Sequence, residues 1–184
     1  MKTRFTLILV VCTLLVGCKS ATKSLTQEEE KLVGKYYYSE TKDLEQIETD
    51  LSAAFLMEDQ IEYGADRTCT SKGTAKLVLA SKNMEEAILN VEYQFSTEST
   101  WQVEDGKLLE VVNPESFRFE FSKSNAESEK AKKVVAVFEN SSELVSSLLK
   151  DAIMKSQDAK IIELTDTKLV LEQNGEQCTL TKVK

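Results

Sequence analysis

The sequence predicts a mainly β protein, an antiparallel up-and-down β-barrel with one or two helices packed on it. Two dipeptides, Asp105-Gly106 and Asn174-Gly175, stand between β-prone runs and are the residue pairs that two-residue type I′ hairpin turns favour. Alternation is the second observation. Leu89, Val91, Tyr93 and Phe95 interleave with Asn90, Glu92 and Gln94, and Phe117, Phe119 and Phe121 interleave with polar neighbours. Third, about nine strand segments follow one another at hairpin spacing, and closing such a meander removes the exposed edges that invite aggregation. An open sheet or a β-sandwich with a helical insert is the alternative architecture.

In chain order, Gly34 and the aromatic run Tyr36-Tyr37-Tyr38 open the first strand. Over residues 41–57 the apolar positions Leu44, Ile47, Leu51, Ala54 and Phe55 fall three and four apart, and Thr41 or Asp43 can cap. This predicts a short amphipathic helix. Residues 60–63 resume as strand, and Gly64-Ala65-Asp66 turns the chain. Residues 67–71 and 74–80 pair about a tight Lys72-Gly73. The alternation of 87–95 continues through Trp101 and Val103 to the Asp105-Gly106 turn and a strand over 107–112, which Pro114 ends. Residues 122–132 are polar, a loop or helix start, and 133–138 fit strand or helix equally. Leu144, Val145, Leu148, Leu149 and Ile153 form one stripe of a helix over 141–155, with Ser142 as its cap. Strands over 160–164, 168–172 and 177–183 close the chain.

The N-terminus reads as an export signal. Lys2 and Arg4 precede a nearly unbroken apolar run over 5–16, too short for the ~20 helical residues a bilayer core requires. Leu15-Val16-Gly17-Cys18 follows and resembles the lipobox of bacterial lipoproteins. The resemblance implies cleavage before Cys18 and acyl chains, palmitate among them, on that cysteine; two or three chains anchor stably where one is marginal. The expected organisation is a signal peptide over 1–17, a lipidated tether over 18–30 and one domain over 31–184. By the same resemblance, the first acids after Cys18 lie only at Glu28 to Glu30. This implies the periplasmic face of the outer membrane.

Composition removes several functions. Without residues 1–17 the chain keeps 21 basic against 31 acidic residues, and its arginines are Arg67 and Arg118. A surface so acidic repels a phosphate backbone, so nucleic acid is not an expected partner. Histidine is absent altogether. That excludes Ser-His-Asp and Cys-His nucleophile activation and histidine zinc sites. No calcium-loop, dinucleotide or phosphate-cradling motif occurs, and no cofactor or metal is expected. Carboxylates are plentiful, but as the solvated faces of strands and helices. The expectation is a protein that is not an enzyme.

Cys12 leaves with the signal and Cys18 is taken by lipid. Cys69 and Cys178 remain, each in a Thr-rich, strand-like stretch, in a compartment where disulfides persist. Either they form a bridge, which would close a loop worth ~4–5 kcal/mol in the chain-entropy model, or they are two free thiols.

From Leu32-Val33-Gly34-Lys35-Tyr36 through Ala65-Asp66-Arg67-Thr68, the Trp101 strand, Asp105-Gly106, Ile162-Glu163-Leu164-Thr165 and Lys168-Leu169-Val170-Leu171, the order of elements resembles the lipocalin-like lipoproteins. These are small anchored barrels of Gram-negative bacteria, many of them Bacteroidetes. The sequence departs from them in placing Tyr36 where lipocalins have tryptophan, and Arg67 where Gly commonly follows Asp. The resemblance implies an anchored, non-enzymatic binding module that takes a small apolar or amphipathic ligand. Tyr36, Tyr38, Tyr93, Phe95, Trp101 and Phe117 are the candidate cavity lining, unless they fill the barrel as core. The alternative is an interaction, assembly or inhibitor lipoprotein that docks on another envelope protein.

Overall fold

The computed structural model describes residues 24–48, 51–81, 88–141, 143, 146–147, 150 and 158–183. Cys18 and the signal lie outside these residues. Nine strands form one antiparallel sheet: β1 (Gly34–Glu48), β2 (Leu51–Tyr63), β3 (Thr68–Ser81), β4 (Ile88–Glu104), β5 (Lys107–Val112), β6 (Arg118–Ser124), β7 (Asp158–Leu164), β8 (Lys168–Gln173) and β9 (Glu176–Val183). Eight of them close a ring in the order β1-β2-β3-β4-β5-β7-β8-β9, as the hairpin spacing predicts. Two seams complete it: Lys35, Tyr36 and Tyr37 pair with Val183, Lys182 and Thr181, and Lys107, Leu108 and Leu109 pair with Lys160, Ala159 and Asp158.

β4 is long enough to serve two partners on one edge. Its Ser99–Glu104 end pairs with β5, inside the ring, while Val91 to Ser96 pair with β6. Above the barrel, β1 to β4 and β6 therefore continue as an open wing. The inward side chains of the wing keep the parity of the barrel's interior wall. Helix α2 (Glu129–Asn140) lies against that face, its N-terminus capped by the Ser128 hydroxyl, which accepts from Ala131 N.

The described residues thus form two cores. Leu32, Tyr36, Tyr63, Cys69, Trp101, Leu108, Leu169, Leu171 and Leu180 fill the barrel. Ala53, Ala75, Leu79, Leu89, Val91, Tyr93, Phe117 and Phe119 pack under Ala131 and Val135 of α2. Each large apolar side chain so buried contributes on the order of 1.5–3 kcal/mol. Tyr93 stacks on Phe119 at 4.7 Å and meets Phe121 edge-on at 6.1 Å.

Both predicted hairpin turns form with positive φ at both residues, 51° and 72° at Asp105-Gly106 and 53° and 85° at Asn174-Gly175. Elsewhere tertiary structure overrides local pattern. Residues 41–48 and 51–57 are not helical: they belong to β1 and β2, with Leu44 opposite Ala53 and Glu48 opposite Leu51. A register shift between Leu44 and Glu48 interrupts the two-residue period, and the interrupted period imitates a helix's spacing of three and four. Nor does Lys72-Gly73 turn. β3 runs through it, paired with β2 and β4 along its whole length. A Cβ on Gly73 would stand 2.1 Å from the Glu58 carbonyl oxygen and 2.6 Å from the Phe95 ring, so this is a point of close backbone approach where barrel passes into wing.

The segment open to either reading, 133–138, is helix within α2. Residues 143, 146, 147 and 150 are helical too, while the Ser142 cap and the apolar stripe at 144, 145, 148, 149 and 153 lie outside the described residues. At the other end the folded chain starts before residue 31. Helix α1 (Gln27–Leu32) carries a complete capping box between Thr26 and Glu29, and Leu32 is fully buried in the barrel core.

Candidate binding site

The barrel's two ends are unlike. At the base, α1 covers the opening. Glu29, 2% exposed, accepts from Arg67 Nη2 at 2.8 Å and from Thr26 N at 2.8 Å, with Val103 N at 3.4 Å. Burial raises the carboxyl's pKa, and these bonds outweigh that and bring it down to about 2. Tyr36 and Tyr63 meet edge-on at 5.7 Å, as do Tyr63 and Trp101. The Tyr36 hydroxyl donates to Leu32 O at 2.9 Å and the Trp101 indole N–H to Thr68 O at 2.9 Å. These rings fill the lower barrel, and burial pushes the Tyr36 phenol up to about 12.

Above Tyr63 the interior is not filled. A chamber of about 390 Å³ opens toward the β8–β9 turn, the end away from α1, between β1, β2, β5, β8 and β9. Tyr38, Met57, Ile61, Leu171 and Leu180 supply its apolar and aromatic wall. Its size falls within the range of small-molecule sites, ~300–1,000 Å³. Other grooves border the barrel: one of about 650 Å³ lies against Cys69, Ser99 and Pro114, and one of about 340 Å³ is bordered by Lys35, Tyr37, Glu62 and Lys72.

Polar groups converge on the chamber. Asp59, 8% exposed, accepts from the Ser71 hydroxyl at 2.7–2.8 Å. Glu110 accepts from the Tyr63 hydroxyl at 2.7 Å and from Ser99 Oγ at 3.4 Å. Burial raises the pKa of both carboxyls, and the charge of Asp59 adds to the rise at Glu110. At the mouth, the Tyr38 hydroxyl donates to Glu40 at 2.7 Å. Among the described residues, no group of three or more Cys, Asp or Glu is arranged to hold a metal ion.

Of the six aromatics read from the sequence, only Tyr38 borders this chamber. Tyr36 and Trp101 are packed into the base, and Tyr93, Phe95 and Phe117 belong to the wing. The chamber's acids escaped the sequence reading. Their signal was present as parity: Asp59 falls in step with Met57, Ile61 and Tyr63, and Glu110 with Leu108, so each places a carboxyl at an inward position. Cys69 and Cys178 both belong to the barrel core as free thiols. β3 and β9 are three steps apart round the closed ring of eight, roughly 12 Å in a straight line at ~4.8 Å per strand, whereas a bridge needs Cα atoms within ~7 Å. Burial raises both thiol pKa values.

Fold and site together define a small antiparallel barrel with a plugged base and an interior chamber open at one end. Neither a protein-family model nor a curated protein matches the chain.

Proposed function

We propose that this protein is a lipid-anchored, lipocalin-like binding module of the cell envelope, non-enzymatic, whose barrel takes a small amphipathic ligand. The chamber carries the reading: about 390 Å³ of interior space, walled by Tyr38, Met57, Ile61, Leu171 and Leu180 and furnished with a few convergent polar groups. The anchor rests on the Leu15-Val16-Gly17-Cys18 motif, and a periplasmic face of the outer membrane follows from the tether's sequence. No helix among the described residues is long and apolar enough to cross a membrane.

Two measurements test this. Native mass spectrometry of the protein extracted from its own membranes is expected to show a bound small molecule, released on denaturation and lost from a Met57→Trp variant whose indole fills the mouth. Uniformly ligand-free protein, with no stabilisation by any member of a small-molecule panel, would end the chamber reading. For the anchor, Cys18→Ser is expected to move the protein from the membrane to the soluble fraction; unchanged fractionation contradicts it.

A further inference from the structure

We propose that the ligand of this chamber is a small organic cation, a protonated amine on an apolar body of about ten to fifteen non-hydrogen atoms. The inference rests on the chamber being a ligand site and names the chemistry that site selects. The size follows from about 390 Å³ at ~30 Å³ for each water-sized unit.

Charge is the first argument. Among the described residues four carboxyls border the chamber, Glu40, Asp59, Glu110 and Glu176, and no lysine or arginine does. Among the described residues none of the four has an ion-pair partner. Buried carboxylates are ordinarily compensated by a cation, because desolvating an unpaired charge costs several kcal/mol. Glu29 at the base has such a cation in Arg67. Asp59 and Glu110 have none among the described residues.

Hydrogen-bond donors are the second argument. Every hydroxyl beside these acids has already given its proton to one of them: Ser71 to Asp59, Tyr63 and Ser99 to Glu110, Tyr38 to Glu40. Each side-chain amide at the rim gives one N–H elsewhere, Gln173 to the Asp158 carbonyl and Gln177 to Glu172, and keeps one. The hydroxyls beside the acids are thus spent on them, Asp59 also takes backbone N–H bonds from Gln60 and Lys72, and acceptor capacity is left over at Glu110 and at the rim acids, since a carboxylate has room for about four hydrogen bonds. An ammonium brings three donors and the missing charge at once. The Tyr38 ring in the chamber wall adds an aromatic surface of the kind that favours a cation. A bare metal ion is a poor fit, since the acids do not converge as a coordinating group.

Calorimetric titration of the whole chain, purified in detergent with matched micelles as blank, tests this with three shape-matched probes: phenethylamine, 2-phenylethanol and phenylacetate. The amine is expected to bind at least tenfold tighter than the alcohol, and the acid most weakly. Asp59→Asn and Glu110→Gln, both nearly isosteric, are each expected to lower amine affinity about tenfold and leave the alcohol unchanged. Equal or tighter binding of the alcohol to the parent protein overturns the cation assignment while leaving the chamber reading intact, and needs no variant to fold. Amine affinity unchanged in both folded variants also overturns it. If none of the three probes binds, the chamber reading falls as well.

Discussion

Arg67 donates to Glu29 across 2.8 Å from a backbone position with φ of 64°, a conformation that side-chain-bearing residues rarely adopt. The turn from β2 to β3 places it there: Arg67 N donates to Gly64 O, and the Asp66 carboxylate holds Thr68 by both its N–H and its hydroxyl. Glycine suits such a site, and a non-glycine residue there costs roughly 1–2 kcal/mol. The arginine offsets that cost by compensating a carboxylate that α1 buries. Arg67→Ala is accordingly expected to lose about 2–4 kcal/mol of unfolding free energy, from the unpaired acid and the unfavourable φ together. Arg67→Gly, free of the backbone strain, is expected to lose about 1 kcal/mol less. Urea denaturation of the two variants gives the comparison, and equal losses would contradict it.

The acids predict opposite pH dependences. Glu29 has a folded pKa near 2 against 4.5 for the free group. Its contribution is therefore whole above about 4.5 and is lost as pH falls from there toward 2. Asp59 and Glu110 have raised folded pKa values, so they bind protons more tightly in the folded state. Their effect is least unfavourable at low pH, and stability falls as pH rises above their free values and through their folded ones. Thermal melts from pH 3 to 8 should show Glu29→Gln flattening the acid limb, with Asp59→Asn and Glu110→Gln flattening the fall that begins above the free values of those acids. An acid limb unchanged by Glu29→Gln would refute the first assignment.

Glycine substitutions separate space from backbone conformation. At Gly106 and Gly175 no atom lies within 4 Å of an added Cβ, so alanine meets only the positive φ and should cost about 1 kcal/mol. At Gly73 the same methyl strikes the Glu58 carbonyl and the Phe95 ring. There alanine is expected to cost about 3 kcal/mol or more. Denaturant midpoints ranking Gly73→Ala with the turn variants would show that β3 yields more easily than its packing indicates.

Thiol reactivity follows from placement. Cys178 borders the chamber and is half-buried, whereas Cys69 is buried in the barrel core. A disulfide reagent at pH 8 should modify Cys178 at least tenfold faster, with Cys69 reacting on unfolding. Mass spectrometry without reductant is expected to find no link between them.

Much of this barrel was legible in the sequence because its turns and alternation are local signals. Asp105-Gly106, Asn174-Gly175 and the alternation from Leu89 to Phe95 each dictate their geometry within a few residues, and each formed as predicted. What was hidden depends on partners distant in the chain. The irregularity between Leu44 and Glu48 is set by pairing with β2, and it disguised two long strands as a helix. Gly73 resembles a turn until both its neighbours in the sheet are known. The chamber was hidden for the same reason. Tyr36 and Tyr38 differ by one pleat, yet the first packs under α1 and the second stands at the mouth, and no periodicity distinguishes base from rim.

The position of α1 determines how the molecule would stand. Seven residues lie between Cys18 and the Thr26 cap, a leash of at most about 25–29 Å when fully drawn out. Acyl chains on Cys18 would hold the stoppered floor of the barrel toward the lipid headgroups and turn its doorway to the water. Cargo would then be collected from the surrounding fluid rather than drawn up out of the bilayer.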